Sequence, residues 1–148
     1  MTRQLVEYQS APLRSNDGLT YGERVALILG VSAGQVAKTL VIDCGTELIV
    51  VIAPADREVS LKRIARTCGV KKAHLASPAQ VLKATGYRPG GVSPFLRGKP
   101  PIKTWIDSSL AGHDAIYVSA GRPGAAFRVS PQELANETAA RFVELTGN

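Results

Sequence analysis

The sequence has 148 residues, 45% of them hydrophobic, and a formal net charge of +6 at pH 7. A chain of this length and apolar content supports one core but not two ordinary domains, so we expect a single domain over residues 1–148. The longest apolar runs, such as Leu48–Pro54, fall far short of the roughly 20 residues of a membrane-spanning helix, and Met1–Gln4 opens no signal-peptide pattern. These features argue against a helical membrane protein and predict a soluble, cytoplasmic one.

The two cysteines give no sign of a metal centre. Cys44 and Cys68 lack CxxC spacing, and neither His74 nor His113 lies at a metal-ligand interval from them. The sequence therefore predicts neither a zinc site nor a disulfide framework, and it indicates no other metal or cofactor.

Basic residues are concentrated in one part of the sequence. No acidic residue occurs between Val59 and Ile106, whereas ten basic residues do: Lys62, Arg63, Arg66, Lys71, Lys72, Lys83, Arg88, Arg97, Lys99 and Lys103. Unless the fold scatters them, such a segment predicts a surface that attracts a polyanion such as RNA. A solvated basic surface with no partner has the same composition, so charge alone leaves both interpretations open.

The first two predicted helices are bounded by capping residues and glycines. Thr20–Glu23 has the spacing of a capping box before an apolar run that ends at Gly30. Ser60 can cap a second helix that stops at Gly69. Its buried face follows helical spacing and includes Cys68, which favours a core role for this cysteine over a nucleophilic one.

Two Ser-Pro pairs predict the remaining helices, because each combines an N-cap, a proline at the first helical position and a capping-box partner. Ser77 opens a third helix that ends near Gly86. Ser130 opens a C-terminal helix with one face formed by Leu134, Thr138, Phe142 and Leu145.

Strand signals lie between these helices. The six predicted strands are Leu5–Gln9, Thr39–Asp43, Leu48–Ala53, Thr104–Asp107, Ala115–Ser119 and Ala126–Val129. A turn at Cys44–Glu47 predicts that the second and third strands pair antiparallel. Because strands and helices do not alternate strictly, we expect an α+β fold in which helices surround a mixed, barrel-like β-sheet.

Two loops are rich in glycine and proline. In Gly86–Phe95, adjacent glycines bounded by prolines permit tight backbone shapes that can aim several N–H groups at one point, although a plain surface turn also fits. Ser119–Gly124 follows one strand and leads into another, which fits either a hairpin or a loop beside a ligand. Neither matches a P-loop or a dinucleotide-binding fingerprint.

Three motifs in this order resemble the YbaK/EbsC family, which is similar to the editing domain of bacterial prolyl-tRNA synthetase. They are Gln35–Leu40, the loop Thr85–Phe95, and Ile106–Asp107 followed by Ile116–Gly121. The resemblance spans about Leu5 to Thr138 and implies the fold of that editing domain. It also implies an enzyme that hydrolyses mischarged aminoacyl-tRNA, above all tRNA(Pro) carrying cysteine or a small amino acid such as alanine.

The resemblance assigns roles to particular residues. Lys38 matches the lysine of the family's KTL motif, and Gly90, Gly91 and Pro94 belong to its GxxxP loop, so these four are the expected catalytic positions. Expected substrate-binding positions are Tyr8, Tyr21, Thr39, Val92, Ser93, Ser119 and Gly121. Leu96 stands where a glycine is common and Ala126 where some members have an acidic residue, which bears on amino-acid preference.

The implied chemistry needs little machinery because aminoacyl-tRNA is an activated ester. N–H groups of Gly90 and Gly91 are candidates for an oxyanion hole, and Lys38 for holding the terminal adenosine or its phosphate. Ser93 is a conceivable nucleophile, but no histidine is positioned by sequence to activate it. The attacking group is either a positioned water or, for a cysteinyl ester, the substrate's own thiol.

Two other functions compete with hydrolysis. A non-catalytic member would bind aminoacyl-tRNA or a nucleotide and protect the ester. A general RNA-binding domain is less favoured because stacking needs exposed aromatic residues, and only 5% of the residues are aromatic. The expected partners are the acceptor end of aminoacyl-tRNA and prolyl-tRNA synthetase.

Overall fold

The computed structural model describes residues 3–9, 18–96 and 101–147. The four α-helices described are α1 (Tyr21–Leu29), α2 (Leu61–Cys68), α3 (Pro78–Thr85) and α4 (Pro131–Thr138). The described strands are β1 (Gln4–Glu7), β2 (Ala37–Asp43), β3 (Leu48–Pro54), β4 (His74–Leu75), β5 (Thr104–Asp107), β6 (Ile116–Ser119), β7 (Ala125–Val129) and β8 (Arg141–Val143). Across these ranges, no helix has the length and apolar character needed to cross a membrane.

All four helices begin at the predicted capping residues. The side chains of Thr20, Ser60, Ser77 and Ser130 each accept a hydrogen bond from the amide three residues later. These predictions are confirmed. They could be made from the sequence because an N-cap is a local interaction that depends on only four successive residues.

The predicted C-terminal helix is wrong beyond Thr138. Ala139 adopts a left-handed backbone with φ 54°, and the chain then forms β8 instead of another helical turn. Phe142 and Val143 pack on opposite faces of the sheet, as neighbouring residues of a strand do. This strand forms because it pairs with β5, a partner distant in sequence that no local pattern reveals.

The described strands form two open sheets. One is antiparallel with the order β1-β7-β6, and the other is mixed with the order β4-β2-β3-β5-β8. The antiparallel β2–β3 hairpin turns at Cys44–Glu47, where the Cys44 N–H donates to the Glu47 carbonyl over 2.9 Å. The α+β class, the mixed sheet and the six predicted strands are confirmed. The sheets are separate and not closed, so the arrangement is barrel-like only in a loose sense.

The five-stranded sheet is covered on both faces. Val50, Ile52 and Ile106 pack against residues of β6 and β7 on one face. On the other face, Ile42 and its neighbours pack against α2. α3 covers the same face as Val41, so α2 and α3 lie on opposite sides of the sheet.

The basic segment is therefore divided between both sides of the sheet. α2 carries Lys62, Arg63 and Arg66, whereas α3 carries Lys83. Arg63 pairs with Glu144 at 3.6 Å and Lys103 with Glu47 at 3.2 Å, which neutralises part of the charge. Arg97 and Lys99 lie outside the described residues. The fold scatters these charges, which weakens the prediction of a single polyanion-binding surface.

Candidate active site

Among the residues that the structure describes, the edge of β2 that faces away from β3 is only partly paired. β4 pairs with Ile42 and Asp43, and β6 meets the chain just before β2 through a bridge between Val36 and Tyr117. The Val36 carbonyl accepts from Ala55 beside β3, whereas the Val41 carbonyl accepts from Ala76 on the opposite side. Because peptide groups alternate along a strand, the N–H and C=O of Thr39 point away from β3 and toward this open edge.

A cavity of about 260 Å³ opens along this edge. Its lining comes from the residue after β1, α1, β2, the turn after β3, the Gly-rich loop Gly86–Phe95, β6 and β7. The lining residues are Tyr8, Thr20, Tyr21, Gly22, Val25, Val36, Ala37, Lys38, Thr39, Leu40, Ala55, Gly90, Val92, Tyr117, Val118, Ser119 and Ala126. A concave, mostly apolar site with a few polar groups is typical of small-ligand binding.

This cavity brings together residues from all three family motifs. Seven of the expected site residues line it: Tyr8, Tyr21, Lys38, Thr39, Gly90, Val92 and Ser119. Four others do not belong to its lining: Gly91, Ser93, Pro94 and Gly121. Segments distant in sequence thus meet at the open edge of β2.

Lys38 is the one charged side chain among the described residues that line the cavity. Its Nζ donates to the Arg57 carbonyl over 2.9 Å, which anchors the ammonium group beside the turn that follows β3. An ammonium group has three donors, so this bond leaves capacity for an anionic or carbonyl oxygen of a ligand.

Thr39 supplies a polar atom that lacks a partner. Its Oγ1 is buried and makes no hydrogen bond to any described residue. Leaving a buried hydroxyl unpaired costs about 1–3 kcal/mol, and such exceptions call for an explanation. A ligand atom in the cavity that Thr39 lines is the explanation we favour.

Tyr8 and Tyr21 form a pair of phenols at the cavity. Tyr8 is held by its backbone N–H, which donates to the Gly124 carbonyl over 2.9 Å. Burial, and then the hydrogen bond with Tyr21, raise the pKa of Tyr8, so its hydroxyl stays protonated. The pair offers two phenolic hydroxyl groups that can hydrogen-bond a ligand.

Only one of the two adjacent glycines offers an unused N–H to the cavity. The Gly91 N–H donates to the Arg88 carbonyl over 3.0 Å and closes a turn. The Gly90 N–H makes no hydrogen bond within the described part of the chain, and Gly90 lines the cavity. In this structure Gly90 is therefore the available donor of the pair.

Tyr87 packs the Gly-rich loop against the hairpin that joins β6 and β7. A Cβ at Gly121 would lie 2.4 Å from the Tyr87 ring, so no larger residue fits there without movement. The Tyr87 hydroxyl donates to the Phe95 carbonyl over 3.1 Å. Gly121 thus acts through loop packing, and the segment between β6 and β7 is both a hairpin and a neighbour of the cavity.

Ser93 and Pro94 do not belong to the cavity lining. Ser93 is 1% exposed, and its Oγ accepts a hydrogen bond from the Phe95 N–H over 3.2 Å. Pro94 borders a separate surface groove with Arg3 and Phe95. The hydrogen bond of Ser93 stabilises the loop that carries Gly90.

An apolar wall completes the cavity, and Ala126 is the one residue of this wall that was singled out individually from the sequence. It is formed by Val25, Val36, Ala55, Tyr117 and Ala126. α1 approaches this wall so closely that a Cβ added at Gly22 would lie 2.4 Å from the Ala55 Cβ. A glycine in the first turn of a helix is the only local signal of that contact.

Comparison with known proteins decides the family. A family model described as "Aminoacyl-tRNA editing domain" matches residues 16–137. The chain belongs to this family. The resemblance to YbaK/EbsC proteins is confirmed, and all the residues that line the cavity except Tyr8 lie within the matched range.

Relatives and a solved structure agree with this assignment. The chain is 31% identical to the Enterococcus faecalis protein named "Putative Cys-tRNA(Pro)/Cys-tRNA(Cys) deacylase EbsC", over 97% of this chain and 90% of that protein. It is 36% identical to the Escherichia coli "Multifunctional Ser/Thr-tRNA deacylase ProXp-y", over 67% of this chain and 62% of that protein. A "putative trans-editing enzyme for prolyl tRNA synthetase" superposes with a TM-score of 0.86 at 26% identity, over 99% and 87% of the two chains.

Proposed function

We propose that this protein is an aminoacyl-tRNA deacylase that hydrolyses the ester of mischarged tRNA in the cytoplasm. The first substrate to consider is tRNA(Pro) carrying cysteine or a small amino acid such as alanine. One observation carries the proposal: Lys38, Thr39, Gly90 and Ser119 line one cavity in a chain of the editing family.

The cavity walls favour a small, uncharged amino-acid side chain. The apolar wall offers no partner to a charged group, and the volume of about 260 Å³ suits a small ligand. Lys38 repels the α-ammonium group of the substrate, so the amino group lies nearer to Thr39 Oγ1, which is free to accept a hydrogen bond. Lys38 then holds the terminal adenosine or its phosphate.

Hydrolysis in this site proceeds through a negatively charged oxygen. Attack by water on the ester carbonyl places this charge on the carbonyl oxygen, where the Gly90 N–H is available to donate. Collapse breaks the bond to the ribose oxygen of the terminal adenosine, and that oxygen takes up the proton released by the attacking water. The products are the free amino acid and uncharged tRNA.

No carboxylate or imidazole is present among the described residues that line the cavity. The activated ester needs less assistance than an amide, so positioning and charge stabilisation carry most of the rate in this proposal. The attacking group is a positioned water or, with cysteinyl-tRNA, the thiol of the substrate. Attack by the thiol releases the ribose hydroxyl and leaves a cyclic thioester of cysteine, which water then hydrolyses to the free amino acid.

Release of labelled amino acid from charged tRNA(Pro) tests the proposal. The panel comprises cysteine, alanine, serine, threonine and proline, because relatives are named for cysteine, serine and threonine. We expect cysteine or alanine to be released faster than without protein, while the prolyl ester is spared. Protection of every ester against spontaneous hydrolysis would instead identify a non-catalytic binder.

The tRNA itself is recognised mainly at its acceptor end in this proposal. A cavity of about 260 Å³ is far too small for the tRNA body, and the basic residues are spread over both faces of the sheet. Prolyl-tRNA synthetase is therefore the partner we propose for selecting tRNA(Pro). Adding this synthetase should raise the rate on tRNA(Pro) but not on a free aminoacyl adenosine.

A further inference from the structure

Cys44 and Cys68 meet on the side of the sheet that α2 covers. Cys44 directly follows β2, Cys68 is the last residue of α2, and the two are 24 positions apart. Their Sγ atoms lie 2.8 Å apart, and both residues are free cysteines. The sequence spacing that argued against a disulfide framework gave no indication of this contact.

The elements that carry the two thiols are held firmly. Ile64 and Ala65 of α2 pack against Ile42 and Ile49 of the sheet, and the Ser60 N–H donates to the Leu145 carbonyl over 2.7 Å. A disulfide bond requires a sulfur–sulfur distance of about 2.05 Å, so the two atoms need to approach by only about 0.8 Å. Such a movement lies within the reach of side-chain rotation and small backbone shifts.

We infer that Cys44 and Cys68 form a reversible intramolecular disulfide when the protein meets a disulfide oxidant such as oxidised glutathione. The thiolate of Cys68 attacks one sulfur of the oxidant, forms a mixed disulfide and releases one glutathione thiolate, which is protonated. Cys44 then loses its proton and attacks Cys68 Sγ, which releases the second glutathione. The protein loses two electrons and two protons, and one oxidised glutathione becomes two reduced molecules.

The order of attack follows from accessibility. Cys68 is half-buried, whereas Cys44 is only 2% exposed. Burial and the neighbouring Cys68 raise the pKa of Cys44 to about 12, so it remains a thiol at neutral pH. Cys68 is thus the residue that an oxidant reaches first, and Cys44 is the resolving partner.

The bond stabilises the fold without touching the cavity. Neither cysteine belongs to the cavity lining, and they lie at the end of β2 opposite to Lys38. Closing the loop restricts the unfolded chain, so we expect a rise in Tm of roughly 5–10 °C.

The test compares the full-length wild type with Cys68→Ser and, as a second variant, Cys44→Ala after incubation with oxidised glutathione. For the wild type, we expect a monomer whose mass is lower by two hydrogen atoms, loss of both alkylatable thiols, and a higher Tm that dithiothreitol reverses. Both variants should show no such Tm rise. A persistent glutathione adduct on wild-type Cys68, a disulfide-linked dimer, or an intramolecular disulfide with an unchanged Tm would each overturn the inference. Mass and Tm are read without substrate, so the result is independent of the proposed deacylase activity.

Discussion

The two halves of strand β2 differ in how completely their polar groups are satisfied. At Ile42 and Asp43 the strand has neighbours on both edges, and the Asp43 carboxylate accepts hydrogen bonds from Gln80 and the Gly45 N–H. At Thr39 the outer edge faces a cavity, and a buried hydroxyl lacks a partner. The paired half contributes stability, whereas the open half retains polar groups for a ligand. We propose that the binding site lies where the described part of the sheet is left incomplete.

The largest expected effect is on Lys38 in the open half. Lys38→Ala should lower kcat/KM for deacylation by at least about 100-fold, because it removes the only charge lining the described cavity. Its free energy of unfolding should fall by at most about 1 kcal/mol, because the exposed hydrogen bond to the Arg57 carbonyl is lost. Lys103→Ala is the matched control, since Lys103 pairs with Glu47 on the surface and should keep full activity. Wild-type rates in a folded Lys38→Ala protein would refute the assigned role.

In the paired half of β2, replacing Ile42 should affect stability and not activity. This side chain is fully buried against α2, so Ile42→Ala should lower the free energy of unfolding by about 3 kcal/mol. Urea denaturation measures this loss. The rate per folded molecule should remain close to that of the wild type, and a selective loss of activity would contradict the division between the two halves.

Thr39 tests whether its unpaired hydroxyl serves a ligand. Thr39→Val should leave stability unchanged or slightly raised, because no protein hydrogen bond is lost, while KM rises about tenfold. Thr104→Val is the matched control, since Thr104 Oγ1 donates to the Ile102 carbonyl over 2.9 Å. That control should lose about 1 kcal/mol of stability and keep its KM. An unaltered KM in Thr39→Val would exclude a ligand contact.

Ser93 should give the smallest effect on activity. Ser93→Ala removes the acceptor for the Phe95 N–H, so stability should fall by about 1 kcal/mol. Because Ser93 is buried and does not belong to the cavity lining, kcat/KM should stay within about twofold of the wild type, whereas loss of a covalent nucleophile is far more severe. Complete loss of activity in the folded variant would restore Ser93 as a nucleophile.

Local signals explain which parts of the fold could be predicted from the sequence. Capping residues fixed the starts of the helices, because these contacts involve side chains and amides only three residues apart. β4 and β8 were missed because they have two and three residues and depend on pairing with distant strands. The end of α4 was missed because Ala139, and not a glycine, adopts the left-handed backbone there.

The candidate site was also predictable only where short sequence motifs mark its residues. Family motifs identified Lys38, Thr39 and Gly90, all of which line the cavity. Apart from Ala126, the apolar wall could not be predicted from the sequence. It depends on the contact between Gly22 and Ala55, which joins α1 to the turn after β3 and leaves no periodic pattern in the sequence. The Gly91 N–H, expected to face a ligand, instead closes a turn, because backbone direction in such a loop depends on tertiary packing.

The most direct test of the central claim maps where the substrate end binds on β2. Isotope-labelled full-length protein is titrated with alanyl adenosine in which a non-hydrolysable amide replaces the ester, and backbone amide shifts are followed by NMR. The account predicts large shift changes at Thr39, Gly90 and Ser119, with Ile42 and Cys44 unaffected. Changes centred on Ile42 and Cys44, or no changes at saturating analogue, would contradict it.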